Sequence, residues 1–223
     1  MAISTIGSAR QTSRRQVLQW GAGGAVALAV FGGRLPNFGI SPALAADLGE
    51  GDIGILNYAY ALEQLEAAFY KMVVDKPYSG MTDMEKTALM EIGAHEQAHV
   101  DFLKGALGDK AIPNLEVDFS SVDLGKRDAV LMAAQTFEDL GVAAYNGAGK
   151  LLQNGDYLLA AGRIVSVEAR HAAAIRDMIN PGSVAFAGPD VVDNNGLDKA
   201  MAPAAVLKAA DPFVVTEVTA MKL

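Results

Sequence analysis

Two short segments of this chain, Glu96-Gln97-Ala98-His99 and Glu168-Ala169-Arg170-His171, each set a carboxylate three residues before an imidazole. On an α-helix, residues three apart share a face, so each pair can offer one oxygen and one ring nitrogen to a single cation. Two of the three histidines stand in this relation although the chain has only ten glutamates. Chance would produce that in well under about 1% of such sequences. Two further glutamates fall into the same pattern. Glu63 precedes Tyr70 by seven residues and Glu138 precedes Tyr145 by seven, and Glu63 to Glu96 spans 33 residues where Glu138 to Glu168 spans 30. The chain therefore reads as two copies of one unit, Glu63/Glu96/His99 and Glu138/Glu168/His171.

These groups interrupt apolar faces. One stripe reads Leu89, Ile92, Glu96, His99, Leu103, and another reads Ile164, Glu168, His171, Ile175, Met178. Glu63 lies between Leu56 and Tyr70, and Glu138 between Leu131 and Tyr145, at similar spacing. Ionised groups at such positions are costly unless paired, and four inward carboxylates would repel one another. Two divalent metal ions would balance four glutamates and leave both imidazoles neutral as ligands. Glu66, one turn from Glu63, competes with it as ligand; the matching Glu-to-Tyr offset favours Glu63. His95 leans toward the face of His99, as an extra ligand, a group bonded to a ligand, or a polar neighbour. Tyr70 and Tyr145 are candidates either to donate hydrogen bonds to ligand carboxylates or simply to pack in the core.

The elements that must position these groups are helical. Apolar residues recur at helical spacing from Asp52 to about Val74, and a turn follows at Asp75–Gly80. Thr82 with Glu85 reads as a capping box opening a second helix to Leu107. A third runs from about Lys126 to Gln153, and a fourth, with Asp156 as its expected cap, to about Asn180 before Pro181-Gly182. Short turns make helices one/two and three/four antiparallel hairpins. The connection over 109–124 reaches ~50 Å when extended, more than the ~35 Å of a 23-residue helix, so it can cross the whole bundle. The expectation is an all-α four-helix bundle over 46–180, with a C-terminal extension over 181–223. That extension holds one short helix near Pro203–Ala210, and its Pro212-Phe213-Val214-Val215 segment packs on the bundle or on a neighbouring subunit.

Residues 1–45 read differently. Ser13-Arg14-Arg15-Gln16-Val17-Leu18 precedes an uncharged, glycine-rich apolar stretch from Trp20 to Gly33, and Ala43-Leu44-Ala45 offers a small-x-small cleavage site. That order reads as an export signal, with paired arginines resembling the twin-arginine type and an apolar part too short and glycine-rich for a stable membrane span; an uncleaved N-terminal anchor is the alternative. The expected location is periplasmic or extracellular, with no membrane attachment after cleavage. The whole chain carries a formal charge of −8, of which residues 1–45 contribute +4, so the remainder carries −12. Such an acidic body argues against nucleic acid and anionic membranes as partners and suits metal cations. Cysteine is absent, which excludes thiolate ligands, cysteine nucleophiles and disulfides.

The segments 56–70, His95–His99, Phe137–Tyr145 and Val167–Ala173 resemble the ferritin-like superfamily. Within it, the likeness is to exported bacterial ferritin-like proteins related to plant desiccation-related proteins. The resemblance covers about residues 50–180. It implies the ferritin-like four-helix bundle, terminal glutamate ligands at Glu63 and Glu138, bridging glutamates at Glu96 and Glu168, and one histidine per metal at His99 and His171. It also implies iron or manganese as the metal and oxygen or peroxide as a small oxidant partner. Oxidoreductase chemistry, ferroxidase or peroxidase/catalase-like, is then the leading expectation, with protection against oxidative or desiccation stress as the role. A non-catalytic metal-binding or structural stress protein is the alternative. A small homo-oligomer fits the tail better than a storage cage does.

His95-Glu96-Gln97-Ala98-His99 also matches the zinc metallopeptidase motif His-Glu-x-x-His. That reading lacks a third ligand from a His-x-x-Gly-x-x-His extension and leaves Glu138, Glu168 and His171 without a task. Elemental analysis of a Glu168→Ala/His171→Ala variant separates the two: a zinc peptidase keeps its metal, whereas the dimetal site loses it.

Overall fold

The computed structural model describes residues 45–220. The export segment expected over 1–45 lies outside the described residues apart from Ala45. The bundle consists of α1 (Gly51–Asp75), α2 (Asp83–Leu107), α3 (Arg127–Ala148) and α4 (Gly155–Ile179), followed by a short α5 (Pro203–Ala210). Two-residue strands, β1 (Ala46–Asp47) and β2 (Val218–Thr219), pair in parallel and bring the two ends of the described chain together. The all-α bundle with a C-terminal extension is thus the fold observed. Among the described residues, no helix is long and apolar enough to cross a membrane.

Local chemistry sets the helix ends. Thr82 accepts from the Glu85 amide while the Glu85 carboxylate accepts from the Thr82 amide, so two orphan donors of α2 are satisfied reciprocally. At α4 the cap is Asn154, whose Oδ1 accepts from the Asp156 amide at 2.8 Å. The helix starts two residues earlier than the sequence pattern indicates, which leaves Asp156 in the first turn, where its charge meets the positive end of the helix. Asp52 accepts from the amides of Gln153 and Asn154 at 2.8 and 2.9 Å, fastening the α3–α4 turn to the start of α1.

The middle connection crosses the bundle beside α1. Asn57 holds its beginning, donating to Lys110 O (2.9 Å) and accepting from the Ile112 amide (2.9 Å). One to two turns on, Gln64 accepts from the Leu115 amide at 2.9 Å. Phe119 then buries itself against Phe69 and Phe137, and the Ser79 amide meets Gly125 O where the crossing ends. Polar side chains on a helix face that is otherwise apolar therefore satisfy the backbone of a segment with no ladder of its own.

The tail packs on this same bundle. Phe213 meets Phe137 edge-to-face at 4.9 Å, and Val215 donates to Glu116 O at 2.8 Å. Arg176, only 5% exposed, donates to Asp139, Asp190 and the Ala185 carbonyl, clamping the chain that leaves α4. Met201 donates to Ala143 O at 2.9 Å, and its carbonyl oxygen lies 1.8 Å from where a Cβ on Gly147 would stand. Only glycine permits that approach. Gly147→Ala should lower stability by about 3 kcal/mol, read as a shifted urea midpoint, because the tail backbone must leave α3.

Candidate metal centre

Each helix of the bundle delivers its acidic residue to one level of the core: Glu63 from α1, Glu96 from α2, Glu138 from α3 and Glu168 from α4, all 0% exposed. His99 and His171 follow one turn later on α2 and α4. Their ring nitrogens face the carboxylates. His99 Nδ1 lies 2.9 Å from Glu168, 3.2 Å from Glu63 and 3.4 Å from Glu96. His171 Nδ1 lies 2.8 Å from Glu96, 3.4 Å from Glu138 and 3.5 Å from Glu168.

These atoms fall into two sets, each able to surround one cation: Glu63, Glu96, His99 and Glu168, and Glu96, Glu138, Glu168 and His171. Glu96 and Glu168 belong to both. A carboxylate has two oxygens, so each of these two side chains can serve both ions, whereas Glu63 and Glu138 serve one each. Lone pairs converge without partners to match. Both oxygens of Glu96 and of Glu168, Glu138 Oε2 and His171 Nδ1 are buried with no aligned hydrogen bond. Groups this close and this poorly satisfied fit cations between them, because buried acceptors left unpaired are costly.

The outer oxygens are held by tyrosines in a crossed arrangement. Tyr70 of α1 donates to Glu138 Oε1 of α3 at 2.5 Å, and Tyr145 of α3 donates to Glu63 Oε1 of α1. Each of these glutamates thus has one oxygen anchored and the other turned toward a histidine. Gly93 makes room for Tyr70: a Cβ there would stand 2.9 Å from the tyrosine Cβ.

His95 and Glu66 join neither set. His95 is exposed, and its Nδ1 lies 2.9 Å from His171 Nε2 with the two rings stacked. It holds the far side of His171, so Nδ1 is the nitrogen turned inward. The two histidines of the peptidase-like motif, His95 and His99, do not converge on one point. Glu66 is buried, and its Oε1 lies 3.0 Å from where a Cβ on Gly141 would stand. Gly141 follows Glu138 by three residues as Glu66 follows Glu63, so the second repeat omits the side chain whose space Glu66 fills. Sequence reasoning passed over this glycine, although its register within the repeat was the available signal.

Burial, followed by the charges of Glu168 and Glu96, pushes Glu66 well above the usual carboxylate range. Burial likewise raises Glu138 to about 8 and Glu63 well up. Burial would raise Glu96 too, but bonds from His171 and His99 hold it at about 2. Desolvation opposes charging the histidines, yet their carboxylate neighbours lift His99 to about 12 and His171 to about 11. Without metal, protons and imidazolium charge thus offset the carboxylates.

The family model described as "Ferritin-like domain" matches residues 51–181. No curated protein matches the chain.

The protonation pattern sets a sign for stability. Unfolded Glu and His titrate near ~4.3 and ~6.5, below their folded values at Glu63, Glu66, Glu138, His99 and His171, so the folded metal-free protein holds more protons and loses stability as pH rises from about 5 to 8. Glu96 acts oppositely, but its contribution is complete by about pH 5. In chelator the melting temperature should therefore be lower at pH 8 than at pH 6. Manganese should flatten that dependence, since metal takes the place of the protons.

Proposed function

Because the chain belongs to the ferritin-like domain family, we propose that it is a dimetal-carboxylate oxidoreductase acting on oxygen or peroxide. The observation that carries this reading is the sharing of Glu96 and Glu168 between two histidine-containing sets. Glu63 and Glu138 then act as terminal ligands, Glu96 and Glu168 as bridges, and His99 and His171 as one nitrogen ligand per ion. Iron or manganese, when bound, supplies the electron transfer to or from the oxidant.

The protein's own groups supply geometry and charge. Tyr70 and Tyr145 restrain the terminal carboxylates, and His95 orients His171. Residues 1–45 support export through the twin-arginine route. Passage in the folded state would allow metal loading before export. Protection against oxidative or desiccation stress is the role proposed for the exported protein, as a monomer or a small homo-oligomer.

Elemental analysis and turnover test the reading together. Protein from its native compartment should contain about two iron or manganese ions per chain and consume peroxide or oxidise ferrous iron. Glu96→Ala or Glu168→Ala should remove both ions, since each side chain serves both sets. Absence of metal from the native protein, with folding unchanged in these variants, would leave a structural stress protein instead.

A further inference from the structure

Beside the carboxylate cluster the bundle contains a second feature, a cavity of about 210 Å³ with almost wholly apolar walls. Its inner end is formed by Leu103, one turn beyond His99, by Ile164, one turn before Glu168, and by the ring of Tyr145. Tyr145 is shared between the two features, since its hydroxyl donates to Glu63. The lining also takes in Phe102 and Ala106 of α2 and Tyr157 and Ala160 of α4, of which Phe102 and Ala106 are exposed. Among the described residues Asp156 is the one charged member of the lining.

Well-packed interiors keep few voids larger than a water molecule, and those they keep cost stability. An apolar cavity of about 150 Å³ stays dry and takes up benzene, so this one has room for a somewhat larger molecule. Tyr58 lines the same cavity, but its hydroxyl has almost no accessible surface, so its ring and not its oxygen faces the space. An uncharged, apolar occupant therefore complements the wall.

We propose that this cavity is a binding site for a small uncharged apolar molecule, one ring or a short chain, seated one helical turn from the metal centre. The inference goes beyond the dimetal reading and does not need it, because the lining includes none of Glu63, Glu96, His99, Glu138, Glu168 and His171. Ala106, exposed on α2, and Ala160, half-buried on α4, are small residues of the lining. Larger side chains there would fill the cavity without touching Glu63, Glu96, Glu138 or Glu168.

Indole, a small uncharged molecule with a largely apolar body, is a suitable probe for calorimetric titration of the purified protein. Saturable uptake of one indole per chain, with a negative heat-capacity change, is expected. Ala160→Phe and, separately, Ala106→Phe should each weaken uptake by about tenfold or more, with helical content and metal content unchanged. Two variants guard against one that fails to fold. Absence of saturable uptake by the folded wild-type protein, or uptake that both filled variants retain, would overturn the proposal. Uptake by protein that is already metal-free when taken from its native compartment would support the cavity while counting against the dimetal reading, so the two can fail separately.

Discussion

Five carboxyl groups, Glu63, Glu66, Glu96, Glu138 and Glu168, lie inside one apolar bundle with almost no exposure, and the surrounding structure is arranged around their mutual repulsion. Ionised carboxylates in such surroundings are stable only when opposite charge or hydrogen-bond donors reach them. Two histidines, two tyrosines and a set of protons meet that need in the metal-free chain. Two divalent cations would meet it more fully, because the charge of four glutamates is then matched and both imidazoles return to the neutral form. Glu66 stands apart. Burial and the charges around it push its carboxyl well above the usual carboxylate range, which favours the neutral form that adds least to the repulsion.

The site is nearly symmetric because the chain repeats one helical hairpin, and the symmetry has a physical use. Tyr70 on α1 restrains Glu138 on α3, and Tyr145 on α3 restrains Glu63 on α1. Each hairpin thereby orients a ligand of the other, and neither half-site is complete alone. The symmetry breaks where Glu66 faces Gly141. Two glutamates at these equivalent positions would compete for one volume, and a glycine on one side removes the conflict. It breaks again at His95, which braces His171, whereas the equivalent position before Glu168 is Val167.

Positioning six side chains to within hydrogen-bonding distance demands a rigid frame. The crossing segment is bound to α1 through Asn57 and Gln64, and the tail is bound to α3 and α4 through Met201, Arg176 and Phe213. Parts of the chain that carry no ligand thus brace the helices that do. The apolar cavity sits at one end of this frame, with Tyr145 between it and Glu63.

The periodic parts of this protein were legible in its sequence. Helical spacing marked four helices to within a few residues, the Thr82/Glu85 pair marked a start that the structure shows in full, and the repeat singled out the six residues that meet in the core. Those features are local, since three-residue spacing places two groups on one face whatever the fold. Contacts between distant segments were not legible. The tyrosines pair across repeats rather than within them, Glu66 occupies space that Gly141 leaves, His95 meets His171 rather than His99, and Phe213 chooses the bundle itself. Asn154 rather than Asp156 caps α4 because the helix starts two residues sooner, and the β1–β2 pairing joins segments more than 170 residues apart. Residue type and spacing thus determined which groups face inward. Which of them touch was decided only when the packed helices fixed the distances between segments far apart in the chain.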